Sequence, residues 1–180
     1  QTKSTKYEHV IPQLISFEID KDVKGVLVIL NTIGGDVEAG LAIAEMIHSL
    51  SKPTVSLVIG GSHSIGVPIA TAADFSFISP TATMIVHPIR LNGMILGVSQ
   101  TFEYFNKMQE RINEFITRTS SIKKGDLESL MHKTDNLLND MGSILIGKQA
   151  VDCGLINKVG GVSDAIKKLN EMIEKGNKMP

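Results

Sequence analysis

The sequence predicts an α/β domain in which strand, glycine-rich turn and helix repeat around a largely parallel sheet. Three observations carry this reading. Val26 to Leu30 is a continuous β-branched and aliphatic run of the kind that marks a strand covered on both faces, and Val55 to Ile59 is a second strand run. Each run ends in a glycine turn, Asn31 to Asp36 in the first case and Gly60 to Gly66 in the second. Each turn then opens a segment with apolar residues at helical spacing, and alternation of this kind argues for right-handed crossovers between parallel strands.

The elements follow in order. Val10, Ile11, Leu14, Ile15 and Phe17 suit a short amphipathic helix before the first strand. After the first glycine turn, Val37, Leu41, Ile43, Ala44, Ile47 and Leu50 form a helical stripe with Asp36 as its N-cap. Pro53 breaks the chain, and after the second turn Val67 to Ala73 is a short helix with Pro68 in its first turn, where a missing N–H costs little. Phe75 to Ile78 and Met84 to Val86 are two more strands, the latter closing on His87-Pro88. From about 99 to 118 Phe102, Phe105, Met108, Ile112, Phe115 and Ile116 recur at three- or four-residue steps in one long helix, and this stretch holds four of the eight aromatic residues. Such a stripe either packs on its own domain or projects to meet another subunit. Lys123 to Met131 is a further helix, Ile144 to Ile146 a strand, and Gly147 to Cys153 a short helix stopped by Gly154. Leu155 to Val159 leads to a last helix over about 163–174, with Ser163 as its expected cap. No low-complexity linker divides the chain, so residues 1–180 read as a single domain.

Composition narrows the functional classes. Of 180 residues 42% are hydrophobic but only 4% aromatic, with no Trp, which implies a small-residue aliphatic core. A net charge of −1 excludes a protein held on nucleic acid by its overall field. Cys153 stands alone and the five histidines show no His-x-x-x-His spacing, so neither a disulfide nor a metal site is expected. Neither a dinucleotide G-x-G-x-x-G nor a P-loop is present, so no cofactor and no ATP site belong to this chain. No apolar run reaches the roughly 18 residues that span a bilayer, so no integral membrane segment is expected and a cytoplasmic setting is.

Both glycine turns fall at the carboxyl edge of the sheet, where ligand sites of α/β proteins gather. In the second, Ser62 and Ser64 stand at the start of a helix, whose unpaired N–H groups suit a developing oxyanion. Serines at helix starts are also ordinary caps, so the serines alone decide nothing. His87, ending a strand before proline, is a candidate base for Ser64; His9, His48, His63 and His132 are weaker candidates. Asp135 and Asp140 are the carboxylates available to hold the imidazole.

These residues resemble a known family. Asn31-Thr32-Ile33-Gly34-Gly35-Asp36-Val37 resembles the Asn-Ser-Pro-Gly-Gly-Ser-Val turn of the Clp-type serine peptidases, family S14. Gly60-Gly61-Ser62-His63-Ser64-Ile65-Gly66 is similar to their Gly-x-Ala-x-Ser-Met-Gly segment, and Met84-Ile85-Val86-His87-Pro88 to their Met-Ile-His-x-Pro strand end. Gly154 to Val159 is similar to their Gly-Leu-Ile-Asp-x-Val, and the order agrees from about Val26 to Val159. Tyr7 to Gln13, Gly34 to Gly40 and His63 to Pro68 resemble the translocation-enhancing branch of that family. Two positions depart from the pattern: Ile33 stands where the family has Pro, and Pro88 follows His87 directly.

The resemblance implies a Clp/crotonase-like fold of repeated ββα units with a projecting long helix. It implies a serine endopeptidase with Ser64 as nucleophile and His87 as base. Gly35 and Ile65 N–H would form the oxyanion hole, and Gly34 and Gly61 would adjoin the substrate. Asp140 is the expected third member, with Asp135 second. The implied partners are a peptide or unfolded protein substrate, a homo-oligomeric ring and a separate AAA+ ATPase. Two other readings stand beside it: a non-catalytic scaffold of the same fold, and an acyl-CoA hydratase or isomerase. The latter would need a catalytic Glu, for which Glu38 is the only carboxylate of that length near the turns.

Overall fold

A computed structural model describes residues 5–90, 97–134 and 141–176. The first unit comprises α1 (Tyr7–Ile19), β1 (Val26–Thr32) and α2 (Val37–Ser49). The second is β2 (Thr54–His63), α3 (Gly66–Thr71), β3 (Phe75–Ile78) and β4 (Thr83–Val86). Then follow α4 (Val98–Thr119), α5 (Lys124–Met131), β5 (Ser143–Ile146), α6 (Lys148–Asp152), β6 (Lys158–Val159) and α7 (Val162–Glu174). The expected α/β organisation with a parallel sheet and a long helix is the one observed.

The sheet is organised on β2. Its path runs β5-β4-β2-β3-β6, with β1 also paired to β2, and every pairing is parallel except β4 with β5. The first half of β2 lies between β1 and β3, with Val55 opposite Leu27 and Phe75. Its second half, Gly61 to His63, pairs instead with Thr83 to Ile85 of β4. The β1–β2 register shifts between Leu30 and Thr32, from Leu30 opposite Val58 to Thr32 opposite Ser62, so β2 bulges around Gly60 and Gly61.

The extent of β2 corrects the expectation that Gly60 to Gly66 is all turn. The strand continues through His63, and the reversal is confined to Ser64 and Ile65. The first two glycines make room for the Asn31 side chain: a Cβ on Gly60 would sit 2.4 Å from Asn31 Oδ1, and that same oxygen accepts the Gly61 N–H at 3.1 Å. A second correction concerns α7, whose N-cap is Gly161 rather than Ser163. Asp164, in the first turn, accepts the Gly161 N–H at 2.8 Å and ties the helix start one residue before Val162. The Asp36 cap of α2 is as expected, with its carboxylate accepting Ala39 N–H at 2.8 Å.

The first half of β2 is covered on both faces, and its side chains alternate between the two layers. Val55 and Leu57 face α7 and pack with Phe77, Ala165 and Met172. Ser56 and Val58 face the other layer, where Ser56 Oγ donates to Ala70 O of α3 at 2.6 Å and Val58 joins the larger core with Leu41, Ala44 and Ile47 of α2. Each fully buried aliphatic side chain of this kind contributes about 1.5–3 kcal/mol. Helix α4 is divided along its length. Met108, Ile112, Phe115 and Ile116 are buried against the core, whereas Val98, Phe102 and Tyr104 at the other end are exposed. The aromatic stripe therefore both packs and projects, one half each. No described helix is long and apolar enough to cross a membrane.

Candidate functional site

The turn between β2 and α3 holds Ser64 in an unusual conformation. It is the only described non-glycine residue with positive φ, at 56°. Such geometry is costly for an L-residue and persists where the surroundings over-determine it, which here they do. Ser64 N–H donates to Ile85 O of β4 at 2.8 Å, and Ser64 O accepts Val67 N–H of α3 at 3.0 Å. From the other side the β1–α2 turn presses in: Gly34 has φ +93°, and a Cβ there would lie 2.8 Å from both His63 O and Ser64 Cβ. The Ser64 side chain is thus raised on a sharp strand-to-helix turn, the arrangement that exposes a hydroxyl at the carboxyl edge of a sheet.

Ser62, the other candidate, is excluded by its surroundings. It is fully buried and its Oγ donates to Gly66 O at 2.7 Å, so it staples the turn beneath Ser64. His63 points elsewhere as well. Its Nε2 lies 2.8 Å from Thr83 Oγ1, and burial pushes its imidazole pKa below the usual histidine value. His48 contacts Ala72 O and the edge of Phe115, and the exposed His132 bonds Glu128 O within its own helix end.

Ser64, Ile65, His87 and Gly35 line one cavity of about 280 Å³. Ile33 and Val37 contribute from the β1–α2 turn and helix, Pro88 and Ile89 from the chain after β4, and Ile112, Ile116 and Met131 form an apolar wall from α4 and α5. Four of the residues expected from sequence are therefore brought together across some fifty residues of chain. Gly34 lies directly behind Ser64, while Gly61 is buried in β2 beneath the His63 ring and does not line this cavity. Asp135 and Asp140 lie outside the described residues.

His87 is half-buried, with Nδ1 2.6 Å from Pro88 O. A carbonyl only accepts, so Nδ1 carries the proton and Nε2 of the neutral ring keeps a free lone pair. Among the described residues no hydrogen bond joins His87 to Ser64. The wall of the site is clamped by charge. Arg111 of α4 makes two hydrogen bonds to the Glu38 carboxylate of α2, at 2.7 and 3.0 Å, and Arg118 meets Glu45 two turns further on at 2.7 Å. The Arg111 hydrogen bond holds the Glu38 carboxyl below its ordinary range. Glu38 is thereby engaged at the surface, away from the cavity, which removes the one carboxylate the hydratase reading had.

Sequence reasoning missed Gln109 and Asn113. Gln109 Oε1 accepts Ile89 N–H at 2.8 Å, and its Nε2 donates to Asn113 Oδ1 at 2.9 Å. The signal was available as two amide side chains one turn apart beside the apolar stripe of a long helix.

The family model of the Clp proteases matches residues 1–163. The chain is 58% identical over 175 residues to the translocation-enhancing protein TepA of Halalkalibacterium halodurans, covering 97% of this chain and 68% of that relative. It is 26% identical over 133 residues to the ATP-dependent Clp protease proteolytic subunit of Leuconostoc citreum, covering 70% of this chain and 64% of the relative. The corresponding subunit of Ligilactobacillus salivarius is 25% identical over 154 residues, with 83% and 74% covered.

Proposed function

Because this chain belongs to the Clp protease family, we propose that it is a serine endopeptidase that cleaves peptide bonds through an acyl-enzyme on Ser64. The observation that carries the reading is the shared cavity, lined by a half-buried serine held at positive φ and by a histidine whose Nδ1 is engaged by Pro88 O, leaving Nε2 as its other ring nitrogen. Ser64 Oγ attacks the scissile carbonyl carbon while His87 Nε2 takes its proton. The resulting oxyanion is received by the N–H groups of Gly35 and Ile65, which precede α2 and α3 and so add the positive ends of two helices. The imidazolium returns its proton to the leaving amine. Water, deprotonated by the same Nε2, then hydrolyses the ester and frees Ser64.

Transfer requires the two side chains to close to hydrogen-bonding distance, a tightening that commonly accompanies substrate binding. Asp140 is the proposed acid whose negative charge stabilises the imidazolium. The apolar wall of Ile112, Ile116 and Met131 would receive an aliphatic or aromatic substrate side chain. The exposed end of α4 supports assembly into a homo-oligomeric ring, with unfolded chains supplied by a separate AAA+ ATPase in the cytoplasm.

A fluorophosphonate probe applied to the native chain and to Ser64→Ala tests the chemistry. Labelling of the native chain that disappears in Ser64→Ala is the expected result; labelling that survives moves the nucleophile elsewhere. A second reading, a non-catalytic scaffold of the same fold, draws on the missing Ser64–His87 hydrogen bond. An intact ring by light scattering that takes up no probe would select it.

A further inference from the structure

We propose that Gln109, on α4, is a positioning residue that fixes the ring of His87 through a single peptide group, that between Pro88 and Ile89. The inference rests on the reading of His87 as the base, but its geometry is independent of any activity. The carbonyl end of that peptide, Pro88 O, accepts from His87 Nδ1 at 2.6 Å. The N–H end, on Ile89, donates to Gln109 Oε1 at 2.8 Å. Because a peptide group is planar, holding its N–H holds its carbonyl, and hydrogen bonds at the two ends polarise each other.

Gln109 is itself held. Its Nε2 donates to Asn113 Oδ1 at 2.9 Å and lies 3.3 Å from Met131 Sδ, and Asn113 is only 4% exposed. The amide therefore has one orientation, with its oxygen toward Ile89. Pro88 adds a fixed φ near −65° and biases His87 to extended backbone, so little freedom remains in the segment. A chain through Asn113, Gln109 and the 88–89 peptide thus sets the tautomer of His87 from the long helix.

The role divides the usual work of a triad acid in two. The peptide carbonyl orients the ring and holds a proton on Nδ1, so that in the neutral ring Nε2 is the basic nitrogen, while Asp140, as proposed above, supplies charge.

Imidazole 15N spectra at neutral pH, with His87 assigned by the signals lost in His87→Ala, read the tautomer directly. The native chain is expected to show the Nδ1–H form, and Asp140→Asn to keep it. Gln109→Met removes the acceptor for Ile89 N–H while preserving shape, and should shift the ring toward the Nε2–H form. It should also slow fluorophosphonate labelling of Ser64 by about 10-fold or more, as loss of an orienting partner does. Gln109→Glu keeps an acceptor oxygen, which Asn113 can meet by turning its amide, and should restore the native tautomer. Should Gln109→Met fail to fold, Ile89→Pro deletes the same donor without touching α4 and carries the same expectation. A native ring in the Nε2–H form, or a tautomer indifferent to Gln109→Met, overturns the proposal. A tautomer that responds as described in a chain that never reacts with the probe upholds the relay and removes the peptidase reading.

Discussion

Replacing Gly34 with Ala places the perturbation at the contact between the two glycine turns. Gly34 has φ +93°, a region costing an L-residue about 1–2 kcal/mol. The added Cβ would stand 2.8 Å from His63 O and 2.8 Å from Ser64 Cβ, neither of which can swing aside as a flexible side-chain end would. Bringing the carbon pair to an ordinary separation of about 3.5 Å moves the turns apart by roughly 0.7 Å. Overpacking of this kind adds about 1–3 kcal/mol, so the total destabilisation is about 2–5 kcal/mol. For a chain of this size that lowers Tm by roughly 5–15 °C. A displacement approaching 1 Å at the nucleophile costs on the order of 100-fold in rate. Differential scanning calorimetry and the rate of fluorophosphonate labelling read the two effects. Gly35→Ala is the internal control: a Cβ there meets no atom within 4 Å, so Tm should stay within about 2 °C of native, in line with a surface change. A Gly34→Ala chain with native Tm and native labelling, or a Gly35→Ala chain equally destabilised, would refute the claim that the turns hold Ser64 by contact.

Two further expectations follow from the same neighbourhood. Ser62→Ala should leave Ser64 reactive but remove one buried hydrogen bond to Gly66 O, at about 0.5–1.5 kcal/mol, visible as a lower Tm with labelling retained. Loss of labelling equal to that of Ser64→Ala would contradict the assignment. Arg111→Ala removes the clamp between α4 and α2; both side chains are about half exposed, so its cost at neutral pH is only about 1 kcal/mol or less. Because Arg111 lowers the Glu38 pKa, the pair contributes fully above the ordinary value of 4.5 and loses its contribution as pH falls through the depressed value. The Tm difference between native and Arg111→Ala should therefore shrink under acid titration and in high salt, and a difference constant across both would exclude the ion pair as its source.

Much of the architecture was legible because it is written in local periods. The Val26–Leu30 and Val55–Ile59 runs were readable as strands, but the expected cover on both faces holds only for Val55 to Val58, since Ile29 is 52% and Ile59 49% exposed; the Met108–Ile112–Phe115–Ile116 spacing was readable as a helix with one buried face. Asp36 was readable as a cap because capping is a contact across three residues. The length of β2 was not readable. Glycines punctuate turns in most sequences, and only the Asn31 side chain lying against Gly60 and bonded to Gly61 makes these two serve a bulged strand.

For the site, the sequence by itself determined the inventory: a serine at a helix start, a histidine at a strand end, and glycines that let backbone N–H groups come close. The tertiary structure decided which of them work together. Ser62 and Ser64 differ by two positions, yet the strand buries one and the turn lifts the other to positive φ. His87 and Gln109 are joined through a peptide group that no spacing rule anticipates, since the link depends on how α4 lies across the end of β4. Local pattern is set by propensity and burial along a few neighbouring residues. Convergence of distant groups is set by how whole elements pack, and only the folded chain contains that information.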